Sequence, residues 1–371
     1  MKIALWIIAG IVAILVFVVG IKGYMLYKEF KTSNPEYIME FVKEHAANGD
    51  VAMSIQYNDE NWVNVNENER LPLASTVKII LAITYAQQAA EGKINPKQLV
   101  SVADLNKFYL PKTDGGAHEA WLAQLPKEDM VPLEEVVKGM IAYSSNANTD
   151  YLMDVLGMEN INNTLQQLEL SKHDVIYPLT SVLYIPSQLM QEQNLSSKEL
   201  VEAMQAMDME EYRNRAIAIY HQWQTAPLSK EEKEQLLKTL SMDIQKVWSD
   251  RLPASTTKDY VAIMEKLNNK SYFSEEVYQY LDPVMEQLME SPANRELFKH
   301  AGQKGGSTAF VLTIAMYAMD QKQNRTELAF FANNLSVLEQ AKLERNLNSF
   351  QLKFLTEEAF REKVERELGG N

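Results

Sequence analysis

Two short stretches pair a serine with a lysine three residues later. "RLPLASTVK", residues 70–78, carries Ser75 and Lys78; "RLPASTTK", residues 251–258, carries Ser255 and Lys258. On a helix, positions i and i+3 share a face, so each pair can touch. A serine hydroxyl beside a neutral amine is a nucleophile beside its base. The lysine must then lose its proton well below its ordinary pKa of about 10.4, and burial among apolar groups has that effect. The residues that follow separate the two copies. After Lys78 comes Ile79-Ile80-Leu81-Ala82-Ile83, with no charge until Glu91. A helix apolar on all sides is a buried one, and a lysine inside it is costly unless it has a purpose or a partner. After Lys258 comes Asp259, then Glu265 and Lys266, all of which favour water. Thr256, followed three residues later by Asp259, resembles an acidic capping arrangement before the run Val261, Met264, Leu267. We read the second copy as a helix start and Ser75-Lys78 as the pair that could do chemistry.

Two further patterns lie downstream. "YSSNAN" supplies Ser144 and Asn146, and "QKGGST" supplies Lys304, Gly305, Gly306 and Ser307 at a predicted strand. Each is weak alone: Ser-Ser-Asn is a common turn and Lys-Gly-Gly suits a hairpin. The order Ser-x-x-Lys, Ser-x-Asn, Lys-x-Gly on the right element types is more specific. In these residues the chain resembles the penicillin-recognising serine hydrolases, and most of all the class A β-lactamase-like branch, related to D-Ala-D-Ala peptidases. The resemblance spans residues 36–370 apart from a block near 190–249.

The resemblance implies a role for each residue. Ser75 is the nucleophile, at a helix start whose dipole favours developing negative charge. Lys78 takes the Ser75 proton. Ser144 relays a proton to the leaving nitrogen, and Asn146 hydrogen-bonds a substrate amide. Lys304 attracts the substrate carboxylate and helps hold Lys78 neutral. Gly305 and Gly306 allow close approach of the strand, and the backbone N–H groups of Ser75 and Ser307 form the oxyanion hole. Three departures stand out. Ser145 replaces an aspartate common in the branch, and Gly305 replaces the usual Thr or Ser. No Glu-x-x-Leu-Asn loop, whose glutamate activates the deacylating water in that branch, follows Ser144. "ENINN", residues 159–163, comes too early and runs on into the helical "TLQQLEL", which places Glu159 on a helix surface. Acylation is expected; efficient deacylation is not.

The elements that must position these residues follow from periodicity. "VAMSIQYNDENWVNVN", 51–66, reads as strand, turn at 58–60, strand; 131–157 reads as two helices joined near Ser144. "HAGQKGGS", "VLTIAMYAMD" and "ELAFFANNL" read as three strands, and 336–368 as helix. The predicted fold is an α/β (α+β sandwich) domain. Its two first and three last strands form a five-stranded antiparallel sheet, with terminal helices on one face and a helical subdomain on the other. The catalytic domain is set at 36–371, with an extra helical block near 190–249, after a linker at 29–35. Residues 1–28 are read as a membrane anchor. Residues 3–21, "IALWIIAGIVAILVFVVGI", are uncharged, and a helix of that length rises about 28 Å, close to one hydrocarbon core. Lys22, Lys28 and Lys31 against Lys2 would by charge alone favour a cytoplasmic body; the chemistry expected of the body places it outside the cell.

Composition narrows the rest. The chain has 371 residues and a net charge of −14, with no basic cluster of the kind that binds nucleic acid. It contains no cysteine, which excludes thiolate chemistry and disulfides. Its histidines, His45, His118, His173, His221 and His300, are too far apart in sequence to suggest a metal motif. No cofactor is expected. The expected partners are a small-molecule or peptidoglycan-peptide substrate and, through the anchor, a membrane. A low-specificity esterase on the same scaffold, or a slow penicillin-binding sensor, are the alternatives to a hydrolase.

Overall fold

The computed structural model describes residues 33–126 and 129–370. Five strands make the main sheet: β1 (Val51–Tyr57), β2 (Glu60–Val65), β3 (Phe298–Ser307), β4 (Leu312–Asp320) and β5 (Arg325–Ala332). All neighbours are antiparallel, in the order β2-β1-β5-β4-β3. The expected sheet is therefore present, joined through the pairing of β1 with β5. Asn58 and Asp59 turn the first hairpin with φ of 50° and 69°, the left-handed pair that a two-residue hairpin turn requires. The inner strands β1, β5 and β4 are buried along nearly their whole length, because helices cover both faces. The outer strand β2 alternates toward its end.

On one face lie α1 (Glu36–His45), α7 (Val337–Thr356) and α8 (Glu358–Leu368). They share a core with the sheet through Phe41, Phe330, Phe350 and Phe354. The other face carries α6 (Thr257–Asn268) and, beyond it, a larger core built on α2 (Lys78–Ala90). Every residue of α2 from Lys78 to Ala86 is buried, so its all-round apolarity meets packed neighbours on every side. Two of these neighbours are α3 (Leu133–Ala142) and α4 (Asn146–Leu156), the helices expected to meet near Ser144.

The block near 190–249 consists of helices at 185–193, 197–206, 209–225 and 230–239, followed by α5 (Met242–Asp250). Ser196, Ser229 and Ser241 cap three of them, the first two in full capping boxes. The two-stranded pairing of residues 99–101 with 130–132 and the helix Glu275–Met285 were not anticipated. The anchor assigned to residues 1–28 lies outside the described residues. Among the described residues, no helix is long and apolar enough to cross a membrane.

Candidate active site

The turn that carries Ser75 is built before α2 begins. Leu71 and Pro72 pair with Ser255 and Ala254, and the Leu73 amide donates to Pro253 O at 3.0 Å. Ala74 then adopts φ 44°, a left-handed conformation rare for a residue with a Cβ. Residues 74–77 form a 3₁₀ turn that leads into α2. Side-chain hydroxyls stitch this turn to the sheet: Thr313 Oγ1 lies 2.8 Å from both Leu73 O and Thr76 Oγ1. Ser75 is half-buried and lines a cleft of about 560 Å³, a size suited to a small ligand.

Lys78, one turn on, is fully buried. Its Nζ lies 2.6 Å from Ser144 O, 2.7 Å from Asn146 Oδ1 and 3.3 Å from Ser144 Oγ. Lys304, 4% exposed on β3, approaches the same hydroxyl from the other side: its Nζ is 3.0 Å from Ser144 Oγ and 2.6 Å from Gly305 O. Ser144 holds this bridging place with φ 71°. Burial drives the Lys78 pKa well below its ordinary value, and the Lys304 charge lowers it further. Burial brings Lys304 down to about 7.

The arrangement dictates how the hydrogens are shared. A neutral Lys78 has two N–H groups, which Ser144 O and Asn146 Oδ1 take. Its lone pair then faces Ser144 Oγ, while the Lys304 ammonium donates to that oxygen. Ser144 thus sits between a proton acceptor and a proton donor. The Lys78 amine makes its hydrogen bonds to Ser144 and Asn146 rather than to the Ser75 hydroxyl. Hydrogen bonds in enzyme sites commonly tighten only once substrate is seated.

The edge strand β3 supplies the opposite wall. A Cβ on Gly306 would come within 2.4 Å of Ser75 N and 2.8 Å of Leu73 O, so only glycine fits this approach. Gly305 is different: an added Cβ would meet Thr313 O at 3.5 Å, an ordinary contact. The N–H of Thr308 donates to Val311 O at 3.0 Å, and the register pairs Ser307 with Leu312 and Gly306 with Thr313. Antiparallel pairs alternate between bonded and non-bonded. The Ser307 N–H therefore points away from β4, off the sheet edge.

Residues without a legible motif complete the frame. Ser145, fully buried, caps α4 by accepting the Asn148 N–H at 3.2 Å, and its Oγ is 2.9 Å from His118 Nδ1. His118 Nε2 lies 3.2 Å from Asn106 Oδ1. Burial lowers the His118 pKa, so the neutral ring donates to Asn106 and accepts from Ser145. Asp150 is buried and accepts the N–H groups of Leu179 and Thr180 at 3.0 and 2.9 Å; burial pushes its pKa to about 6. This fixes Leu179 on the cleft wall. Among the described residues, the carboxylates lining the cleft are Asp114 and Glu344; of residues 168–180, the loop after the helix Met158–Gln167, only Leu179 lines it. Glu159 is exposed on the helix Met158–Gln167.

The second Ser-x-x-Lys copy is structural. The Thr256 side chain caps α6 by accepting the Asp259 N–H at 3.1 Å, and Ser255 Oγ donates to Asp259 Oδ2 at 3.0 Å. Lys258 pairs with Glu67 at 2.9 Å on the surface.

The fold recurs in solved structures of low sequence identity. A β-lactamase from Sphaerobacter thermophilus DSM 20745 has a TM-score of 0.51 at 16% identity, covering 85% of this chain and 96% of that one. The chromosome-encoded β-lactamase of Vibrio parahaemolyticus has a TM-score of 0.53 at 12% identity, covering 88% and 100%. PBP-A has a TM-score of 0.51 at 15% identity, covering 89% and 100%. No curated protein matches the chain in sequence. The model of the Beta-lactamase enzyme family matches residues 35–308, most of the chain. The protein belongs to the β-lactamase enzyme family.

Proposed function

We propose that this protein is a serine acyl-transfer enzyme that forms an acyl-enzyme at Ser75 with a β-lactam or a D-Ala-D-Ala-type amide. The observation that carries the reading is the Lys78–Ser144–Lys304 chain beside Ser75: a buried, proton-poor amine, a bridging hydroxyl and a second ammonium. Ser75 Oγ attacks the amide carbonyl and its proton passes to Lys78. The carbonyl oxygen becomes an anion between the N–H groups of Ser75 and Ser307. When the C–N bond breaks, Ser144 gives its proton to the departing nitrogen and recovers one from Lys78. Asn146 holds the substrate amide, and Lys304 attracts its carboxylate. Such preorganised donors supply much of the rate of acyl transfer.

Of residues 168–180 only Leu179 lines the cleft, and no carboxylate of that stretch does, which favours a long-lived ester over rapid hydrolysis. A mutant of the similarly folded PBP-A has been solved as an acyl-enzyme complex with penicillin G. We place the catalytic domain outside the cell, held to the membrane by the anchor read at residues 1–28.

The test is intact-mass measurement of the full chain incubated with benzylpenicillin. A stable adduct is expected, lost in Ser75→Ala and kept in Ser255→Ala. An adduct that survives Ser75→Ala but not Ser255→Ala would overturn the assignment. Rapid turnover of a chromogenic cephalosporin would overturn the slow-deacylation part. Hydrolysis of a simple aryl ester without any penicillin adduct would point to an esterase.

A further inference from the structure

The helical block leaves the fold and returns to it at one place. The Asp174 N–H donates to Ala254 O at 2.9 Å, and the Ala254 N–H returns to Asp174 Oδ2 at 3.0 Å. The Tyr177 hydroxyl donates to Arg251 O. This neck sits directly on the nucleophile turn, since Ala254 also pairs with Pro72.

From the neck, the last helix of the block, α5, lies against the turn between β3 and β4. Ser249 Oγ, fully buried, donates to Thr308 Oγ1 at 2.8 Å, one residue beyond the oxyanion donor assigned to Ser307. The Lys246 ammonium lies 5.8 Å from the Phe310 ring centroid. Trp248 packs with Ala74, Leu252 and Val311. Its Nε1–H is buried and meets no acceptor among the described residues, so packing against them holds the indole. Trp248, Leu252 and Leu179 line the cleft, as do the polar residues Thr113, Asp114 and Asn146.

We infer that the helical block is part of the substrate site, and that Trp248 determines specificity for an apolar, ring-sized substituent on the acyl side of the scissile amide. The inference rests on the Ser75 reading above. The indole packs on the small cluster that contains Ala74, the residue before the nucleophile, and lines the same cleft, so a group attached to the carbonyl under attack lies within its reach. A ring placed there is covered by indole and leucine surface; a small polar substituent leaves that surface unfilled. Aromatic side chains offer large apolar area and favourable ring geometry. A single missing hydrophobic contact in such a pocket commonly changes discrimination about tenfold or more.

The experiment compares acylation of the full chain by two penicillins of the same ring system. Benzylpenicillin carries a phenylacetyl group; 6-aminopenicillanic acid carries a bare amino group at that position. Second-order acylation rates come from intact-mass time courses for wild type, Trp248→Phe and Trp248→Ala. Wild type is expected to prefer benzylpenicillin. Trp248→Ala should cut that preference about tenfold while acylation by 6-aminopenicillanic acid stays within about threefold; Trp248→Phe should keep most of it. Acylation by benzylpenicillin should also change tryptophan emission in wild type and leave it unchanged in Trp248→Phe, a readout that does not need the alanine variant to fold. An unchanged preference in Trp248→Ala, an equal loss of both reactions, or an emission change that persists in Trp248→Phe would overturn the inference and leave Ser75 as nucleophile standing. Absence of any adduct in wild type would instead overturn the Ser75 reading on which it rests.

Discussion

Replacing Gly306 by alanine puts one methyl group into the closest backbone approach in the cleft. The new Cβ would lie 2.4 Å from Ser75 N and 2.8 Å from Leu73 O, where ordinary contacts begin at 3.4 Å. Both neighbours are backbone atoms of a turn already held by Thr76, Thr313 and the Leu71–Ser255 pairing. They cannot step aside as a flexible side chain would. Strand and turn must therefore separate by about 1 Å, the difference between 3.4 and 2.4 Å. That separation moves the Ser307 N–H relative to Ser75, so the two donors assigned to the oxyanion no longer converge. Loss of one such donor costs about 10²–10³ in rate, or about 2.7–4 kcal/mol. A misplacement of that size elsewhere in a site costs about 10².

The matched control is Gly305→Ala, whose Cβ meets nothing closer than 3.5 Å. Intact-mass time courses with benzylpenicillin should show Gly306→Ala acylating at least about 10²-fold more slowly and Gly305→Ala within a few-fold of wild type. Thermal unfolding of both variants separates a displaced donor from a lost fold. Wild-type acylation in a folded Gly306→Ala, or an equal loss in Gly305→Ala, would refute the reasoning.

Two further predictions concern protons. For the free enzyme, the second-order acylation rate should rise as Lys78 loses its proton and fall as Lys304 loses its own near pH 7, because burial brings Lys304 to about 7 and pushes Lys78 well down, helped by the Lys304 charge. A rate that climbs steadily to pH 9 would contradict the need for a charged Lys304. The second concerns stability. Glu327, 1% exposed on β5 and bonded to Asn268, is raised by burial from 4.5 to about 7. The folded state therefore holds this proton more tightly, and its contribution is full below pH 4.5 and lost as pH rises through about 7. The rise from 4.5 to about 7 corresponds to about 3 kcal/mol. Urea unfolding of Glu327→Gln should show that much less loss of stability between pH 5 and pH 8; identical pH dependence in the two proteins would refute the assignment.

What the sequence disclosed follows from which interactions are local. The periodicity of 51–66 and of the three late strands was readable because alternation and turn residues lie within a few positions. The two Ser-x-x-Lys copies were separable for the same reason: five apolar residues follow Lys78, whereas Asp259 follows Lys258, and the first lysine is buried while the second pairs with Glu67 at the surface. Trp248 was not legible. The block's helices have an ordinary polar pattern, and nothing local says that one indole returns to Ala74, 174 positions earlier in the chain (248 − 74). Leu179 was hidden in the same way, since its place depends on Asp150 accepting its N–H.

The direction of the Ser307 N–H was hidden for a different reason. A slip of one residue between β3 and β4 would turn that N–H into the ladder and expose the Gly306 N–H instead. Register is thus part of the proposed chemistry. Thr308 N–H to Val311 O and Thr313 Oγ1 to Gly306 O hold it across the two strands, and a third contact, Ser249 Oγ to Thr308 Oγ1, ties down the end of β3. The third comes from the helical block. An element with no place in the Ser-x-x-Lys, Ser-x-Asn, Lys-x-Gly pattern therefore braces the strand end on which the oxyanion donor depends.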